Sequence, residues 1–173
     1  QCTSCLAGFY SNIISYESCI SCNEGTASNI VGSINCNNCP TGKYANSKGH
    51  TECKNCEPGY YNNLEGSINC NPCEIGKYLP STGSTLETDC KVCDEGEVSA
   101  TGSSRCDRCS GGEYKSGVNF CKKCPEGKYG ENTGGNNIDY CQNCPIGKYL
   151  DQLGETSIGA CKSCLAGKIN QIT

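Results

Sequence analysis

The chain has no Met and no Trp, and only 25 of its 173 residues are Leu, Ile, Val or Phe. So few large aliphatics cannot bury enough area to offset the conformational entropy of folding by themselves. This excludes an ordinary globular enzyme domain. No apolar run approaches the ~18 residues of a transmembrane helix, so no direct membrane insertion is expected of this segment. A single His is present, His50, in a Gly-rich loop, where it reads as a solvated residue. No carboxylate pair, Ser/His/Asp set or phosphate-cradling Gly loop recurs, so neither enzymatic activity nor a cofactor is expected. The 14 Lys and Arg are scattered among 18 Asp and Glu, for a net charge of -4. Without a basic patch, nucleic acid is not an expected partner. Eighteen Asn and 29 Ser and Thr form no Asn-x-Ser/Thr sequon, which leaves only O-linked glycans open.

What the chain does have is cysteine. All 20 fall into ten Cys-x-x-Cys pairs, at 2/5, 19/22, 36/39, 53/56, 70/73, 90/93, 106/109, 121/124, 141/144 and 161/164. The steps between pairs are 17, 17, 17, 17, 20, 16, 15, 20 and 20 residues. Three residues after each pair stands a glycine: Gly8, Gly25, Gly42, Gly59, Gly76, Gly96, Gly112, Gly127, Gly147 and Gly167. Two further on, seven of the ten repeats carry a tyrosine: Tyr10, Tyr44, Tyr61, Tyr78, Tyr114, Tyr129 and Tyr149. A second glycine, such as Gly49 or Gly66, follows in most repeats. The chain thus reads as one continuous array over 1–173, with repeats 5–21, 22–38, 39–55, 56–72, 73–92, 93–108, 109–123, 124–143, 144–163 and a partial 164–173. It is expected to be a segment of a longer chain.

The fold class expected is a small disulfide-rich protein, mostly irregular with short β-hairpins, forming an elongated tandem-repeat rod without a large hydrophobic core. Cys39-Pro40-Thr41-Gly42 fits a type I turn with Pro second and Gly fourth. Gly-Lys-Tyr then starts a short strand. An Asn/Ser/Gly loop follows, and a return leg such as Ser67-Ile68-Asn69 leads to the next Cys. The tyrosine of each repeat is expected to cover the local disulfide. Each repeat is expected to touch only its neighbours, as in other solenoids.

Three cysteine arrangements are possible. Bonding inside a pair closes too small a loop to constrain the chain. A ladder joins the second Cys of one pair to the first of the next. A crossed scheme takes pairs two at a time and predicts alternating spacing, which the four equal steps of 17 do not show. The steps favour the ladder without deciding connectivity. Four-thiolate zinc sites also need alternation, and the chain lacks the basic residues of nucleic-acid-binding zinc proteins. Asn137-Ile138-Asp139-Tyr140 could offer oxygens to calcium but lacks the EF-hand register, and reads as a plain loop.

The runs CPTGKY at 39–44, CPEGKY at 124–129 and CPIGKY at 144–149 resemble the first half-module of tumour-necrosis-factor-receptor cysteine-rich domains. The run EGSINCNPCEIGKY at 65–78 resembles the ephrin-receptor-like cysteine-rich repeat. That resemblance implies bonding across the Gly-Tyr hairpin, hence the ladder Cys5–Cys19, Cys22–Cys36, Cys39–Cys53, Cys56–Cys70, Cys73–Cys90, Cys93–Cys106, Cys109–Cys121, Cys124–Cys141 and Cys144–Cys161. In that scheme Cys2 and Cys164 are left to bond outside the segment or to another chain. The resemblance also implies an extracellular or cell-surface location. The function expected is a non-enzymatic structural segment of an extracellular filament, coat or matrix, with like chains or other extracellular structural proteins as partners. The alternative is the ectodomain or stalk of a surface receptor or antigen that binds a protein ligand.

Overall fold

The computed structural model describes residues 3–12 and 18–168. Among these residues the strands form nine two-stranded hairpins, one per complete repeat, beside three 3-10 turns. The first four pair Phe9–Tyr10 with Ile20–Ser21, Thr26–Ala27 with Asn37–Asn38, Lys43–Tyr44 with Lys54–Asn55, and Tyr60–Tyr61 with Asn71–Pro72. Lys77–Tyr78 with Lys91–Val92 and Glu97–Val98 with Asp107–Arg108 follow. The last three pair Glu113–Ser116 with Phe120–Lys123, Lys128–Tyr129 with Gln142–Asn143, and Lys148–Tyr149 with Lys162–Ser163.

The outgoing strand is the Gly-x-Tyr segment that the sequence suggests. The return strand is not the leg before the next Cys. It is the dipeptide between the two cysteines: Tyr60 faces Pro72 and Tyr61 faces Asn71. Such dipeptides (Asn37-Asn38, Lys54-Asn55, Asn71-Pro72) are exposed and have little strand propensity. Cysteines flanking the dipeptide hold it extended, and the backbone bond from Cys73 N to Gly59 O (2.8 Å) closes the hairpin, so Pro72 has no donor to supply there.

The turn after each pair sits one residue later than a Cys-Pro-x-Gly reading places it. Lys43 N donates to Pro40 O at 3.1 Å, and Tyr60 N to Glu57 O at 3.1 Å. Pro40 is therefore the first corner and Gly42 the third, with φ 76°. A positive φ at the third corner is the type II signature, not type I.

The chain divides into two compact units. The first comprises Gln1–Glu74, Tyr78–Lys91 and Thr101–Ser104; the second comprises Ile75–Lys77, Val92–Ala100 and Arg105–Thr173. Inside the first, three backbone bonds recur between successive repeats. The turn glycine donates forward, as Gly25 N to Ala45 O (2.8 Å) and Gly42 N to Asn62 O (2.7 Å). The loop glycine donates back, as Gly49 N to Cys22 O (2.8 Å) and Gly66 N to Cys39 O (2.7 Å). The residue after the Tyr position donates forward, as Ala45 N to Ser67 O (3.1 Å) and Asn62 N to Ser84 O (3.0 Å). The second unit repeats the set with Gly112 N to Gly130 O (2.8 Å), Gly134 N to Cys109 O (2.7 Å) and Gly130 N to Glu155 O (2.9 Å).

Contacts also skip a repeat. A Cβ placed on Gly25 would lie 2.0 Å from the carbonyl oxygen of Gly66, two repeats on, and one on Gly59 2.0 Å from that of Gly102. In the second unit a Cβ on Gly112 would lie 2.1 Å from Gly154 O. The expectation that each repeat touches only its neighbours is therefore corrected. Glycine at the turn lets two backbones approach at second-neighbour range.

Candidate interaction surface

Nine disulfides link Cys5–Cys19, Cys22–Cys36, Cys39–Cys53, Cys56–Cys70, Cys73–Cys90, Cys93–Cys106, Cys109–Cys121, Cys124–Cys141 and Cys144–Cys161. Each closes a short loop, of 12 residues' separation at the tightest (Cys109–Cys121) and 17 at the widest. Cys164 is free and half-buried. Cys2, the other expected external cysteine, lies outside the described residues. Among the described residues, no group of three or more His, Cys, Asp or Glu is placed to hold a metal ion.

The disulfides are themselves the core. The cysteine that opens each of the nine rungs, which is the second of its Cys-x-x-Cys pair, is buried, as at Cys22, Cys39, Cys56 and Cys124, all 0% exposed. Three of the tyrosines pack in clusters with these rungs, but not locally. Tyr61 packs on Cys73 and Cys90, Tyr114 on Cys124 and Cys141, and Tyr129 on Cys144 and Cys161. In each case the ring covers the rung of the following repeat. The local arrangement expected from sequence is corrected: a tyrosine couples one repeat to the next. Tyr149 is 38% exposed, and Tyr10, Tyr44 and Tyr78 are half-buried.

A buried position was missed in the sequence because its residue type varies. The residue after the Tyr position is buried as Ser28, Ala45, Asn62, Leu79, Ser99 and Leu150. Asn62 is satisfied there: its Nδ2 donates to Lys43 O (2.8 Å) and Leu64 O (2.9 Å), and its Oδ1 accepts from Leu64 N and Ser67 Oγ. Ser99 Oγ makes the matching bond to Lys77 O (2.8 Å). The signal available was positional, not compositional. The position directly follows the Tyr position, where the backbone N–H bonds to the next repeat, as Ala45 N to Ser67 O and Asn62 N to Ser84 O.

All ten turn glycines, from Gly8 to Gly167, have positive φ. His50 is half-buried and not merely solvated: its Nε2 lies 3.0 Å from Ser47 Oγ and 3.3 Å from Asn46 Oδ1. Asn137–Tyr140 is not a plain loop. Ile138–Tyr140 is a 3-10 turn, and Asn137 Oδ1 caps it by accepting from Asp139 N at 2.8 Å. That oxygen is thus engaged with the backbone.

The surface itself carries ion pairs and exposed aliphatics. Lys162 Nζ donates to both oxygens of Asp151, at 2.8 and 3.0 Å. This hydrogen bond holds the Asp151 carboxyl below its ordinary value and lifts the Lys162 ammonium above its own. Most exposed aliphatics stand at two places, with Val92 in a return strand apart from both. At the turn tip stand Leu6, Ile75, Ile146 and Leu165; in the hairpin loops stand Ile30, Ile34, Leu64, Ile68, Leu153 and Ile158. No helix among the described residues is long and apolar enough to cross a membrane.

Residues 42–90 match the model of the tyrosine-protein kinase ephrin type A/B receptor-like family. The nine-rung ladder fits tandem repeats of that type. No curated protein matches the chain. Disulfide density and repeat type together point to an extracellular or secreted domain, and repeats of this type are a non-catalytic module.

Proposed function

We propose that the chain is a non-enzymatic structural segment of an extracellular filament, coat or matrix, associating with like chains or with other extracellular structural proteins. The observation that carries this reading is the distribution of exposed aliphatics. Among the described residues they occur in eight of the ten repeats, absent only from 39–55 and 93–108, and favour the turn tip and the hairpin loop. A receptor for one protein ligand concentrates its exposed apolar surface in a single patch. A chain that associates along its length distributes it. The free Cys164, with Cys2, would supply covalent links to cysteines of other segments or chains, and any glycan would be O-linked.

Sedimentation of the oxidised chain over a range of concentrations tests the reading, with Cys164→Ser present to separate non-covalent from disulfide-linked species. Association is expected to rise with concentration and to weaken in the triple variant Ile34→Ser, Leu64→Ser, Ile68→Ser. A strict monomer at every concentration would overturn the structural reading in favour of a ligand-binding ectodomain.

A further inference from the structure

Between the hairpins of repeats 39–55 and 56–72 lies a cleft of about 290 Å³, lined by Tyr44, Asn46, Glu57, Tyr60, Asn69 and Cys70. We infer that this cleft binds a neutral saccharide, with Tyr44 and Tyr60 as stacking platforms and Asn46, Glu57 and Asn69 as hydroxyl partners. The inference goes beyond the structural role proposed above and does not depend on self-association.

The cleft is a product of the repeat, but its lining is not. One repeat earlier, Ala27, Asn29, Pro40, Lys43, Glu52 and Cys53 line the corresponding space, each residue 17 positions before its counterpart. The scaffold therefore makes the groove at both steps, and the later one differs by aromatic residues at both corners: Tyr44 where Ala27 stands, and Tyr60 where Lys43 stands. The residue that follows the turn glycine is Lys in five of the ten repeats and Tyr only at 60. Tyr60 is 36% exposed. Its ring tip abuts Gly102, where a Cβ would lie 2.8 Å from the hydroxyl and 2.9 Å from the ring, so a side chain at 102 would displace it. The glycine leaves room for the ring.

The chemistry of the lining selects the ligand. Asn46, Glu57 and Asn69 are exposed. Among the described residues Glu57 and Asn69 make no side-chain hydrogen bond or ion pair, while Asn46 engages His50 through Oδ1 and keeps its two N–H donors. Two amides and one carboxylate present donors and acceptors in planar pairs, which match vicinal hydroxyls. Two phenol rings supply apolar faces for the C–H face of a pyranose. A quaternary ammonium would use the rings and the carboxylate but leave both amides idle. The volume lies at the lower end of ligand clefts, about 300–1,000 Å³, in keeping with a short saccharide unit.

The test is a titration of the isotope-labelled 173-residue chain, read by backbone amide shifts. The probes are cellotriose and chitotriose, as fragments of matrix polysaccharide, and mannotriose, as a fragment of protein-linked glycan; choline serves as the cationic rival. At least one trisaccharide is expected to give saturable shifts confined to 44–46, 57–60 and 69–70. Tyr60→Ala should weaken it at least about tenfold, ~1.4 kcal/mol, and Tyr60→Phe should keep most of the affinity. Glu57→Gln and Asn69→Ala, at exposed positions, carry the same test if Tyr60→Ala disturbs the fold. No saturable shift with any trisaccharide, shifts outside these segments, variants that bind as wild type, or choline saturating the cleft in place of sugar would each overturn the assignment.

Discussion

At the scale of single residues, the turn glycines do two separable things. Gly25 and Gly49 both have positive φ, 78° and 77°. Around Gly49 there is open space, whereas a Cβ on Gly25 would collide with the Gly66 carbonyl. Gly49→Ala should therefore cost only the left-handed backbone penalty, about 1–2 kcal/mol. Gly25→Ala should cost clearly more and should loosen repeat 56–72 as well as its own. Denaturant melts of the oxidised variants, with amide exchange to locate the damage, check the difference; equal losses would show that the second-neighbour contact is energetically idle. Tyr129 offers a second test. Its ring is 5% exposed over Cys144 and Cys161. Tyr129→Ala should cost about 3–5 kcal/mol, in the range of other buried aromatic truncations. Differential alkylation should then show the Cys144–Cys161 rung reducing faster, with Cys109–Cys121 unchanged.

At the scale of elements, the variable spacing has a local explanation. The three repeats with a step of 20 each contain a 3-10 turn just before a cysteine: Glu87–Asp89, Ile138–Tyr140 and Ile158–Ala160. The three extra residues lie between the loop glycine and that cysteine, and are absorbed by bonds such as Cys161 N to Ile158 O (3.1 Å). In these repeats alone the first cysteine of the pair is buried, as Cys90, Cys141 and Cys161. Deleting Ile158–Ala160 should leave the hairpin and its rung in place but make Cys161 accessible to reductant, measurable by its rate of modification under mild reduction. The short repeat 109–123 goes the other way: with little loop to spare, its strands lengthen to four residues, Glu113–Ser116 against Phe120–Lys123. Much of this level was legible in the sequence. Cysteine spacing, glycine placement and the Gly-x-Tyr strand are periodic in residue type, so one chain displays them. The return strand was not, because Asn-Asn or Lys-Asn between cysteines carries no strand signal and is held by its covalent neighbours. The cleft at Tyr44 and Tyr60 was also hidden: its walls come from different repeats, and only the register between hairpins brings them together.

At the scale of the whole molecule, stability is expected to be neither a sum of isolated loops nor a single cooperative core. Removing one rung with Cys39→Ser and Cys53→Ser should cost about 2–5 kcal/mol. Because repeats bond to first neighbours and touch second ones, the loss of amide protection should spread beyond 39–55 to repeats 5–21, 22–38, 56–72 and 73–92. It should leave 124–163, in the second compact unit, protected. Hydrogen exchange by mass spectrometry resolves this directly; loss confined to 39–55 would return the array to independent loops.

The reach of the glycine contact also sets an order of events during biosynthesis. Each rung closes over at most 17 residues, while the glycine that a turn rests on, as Gly66 for Gly25, lies 41 residues downstream. In a chain that emerges N-terminus first into an oxidising compartment, every cysteine pair would be complete well before the distant half of its packing partner. Cross-linking is then expected to be guided by local collision, with docking following about two repeats later.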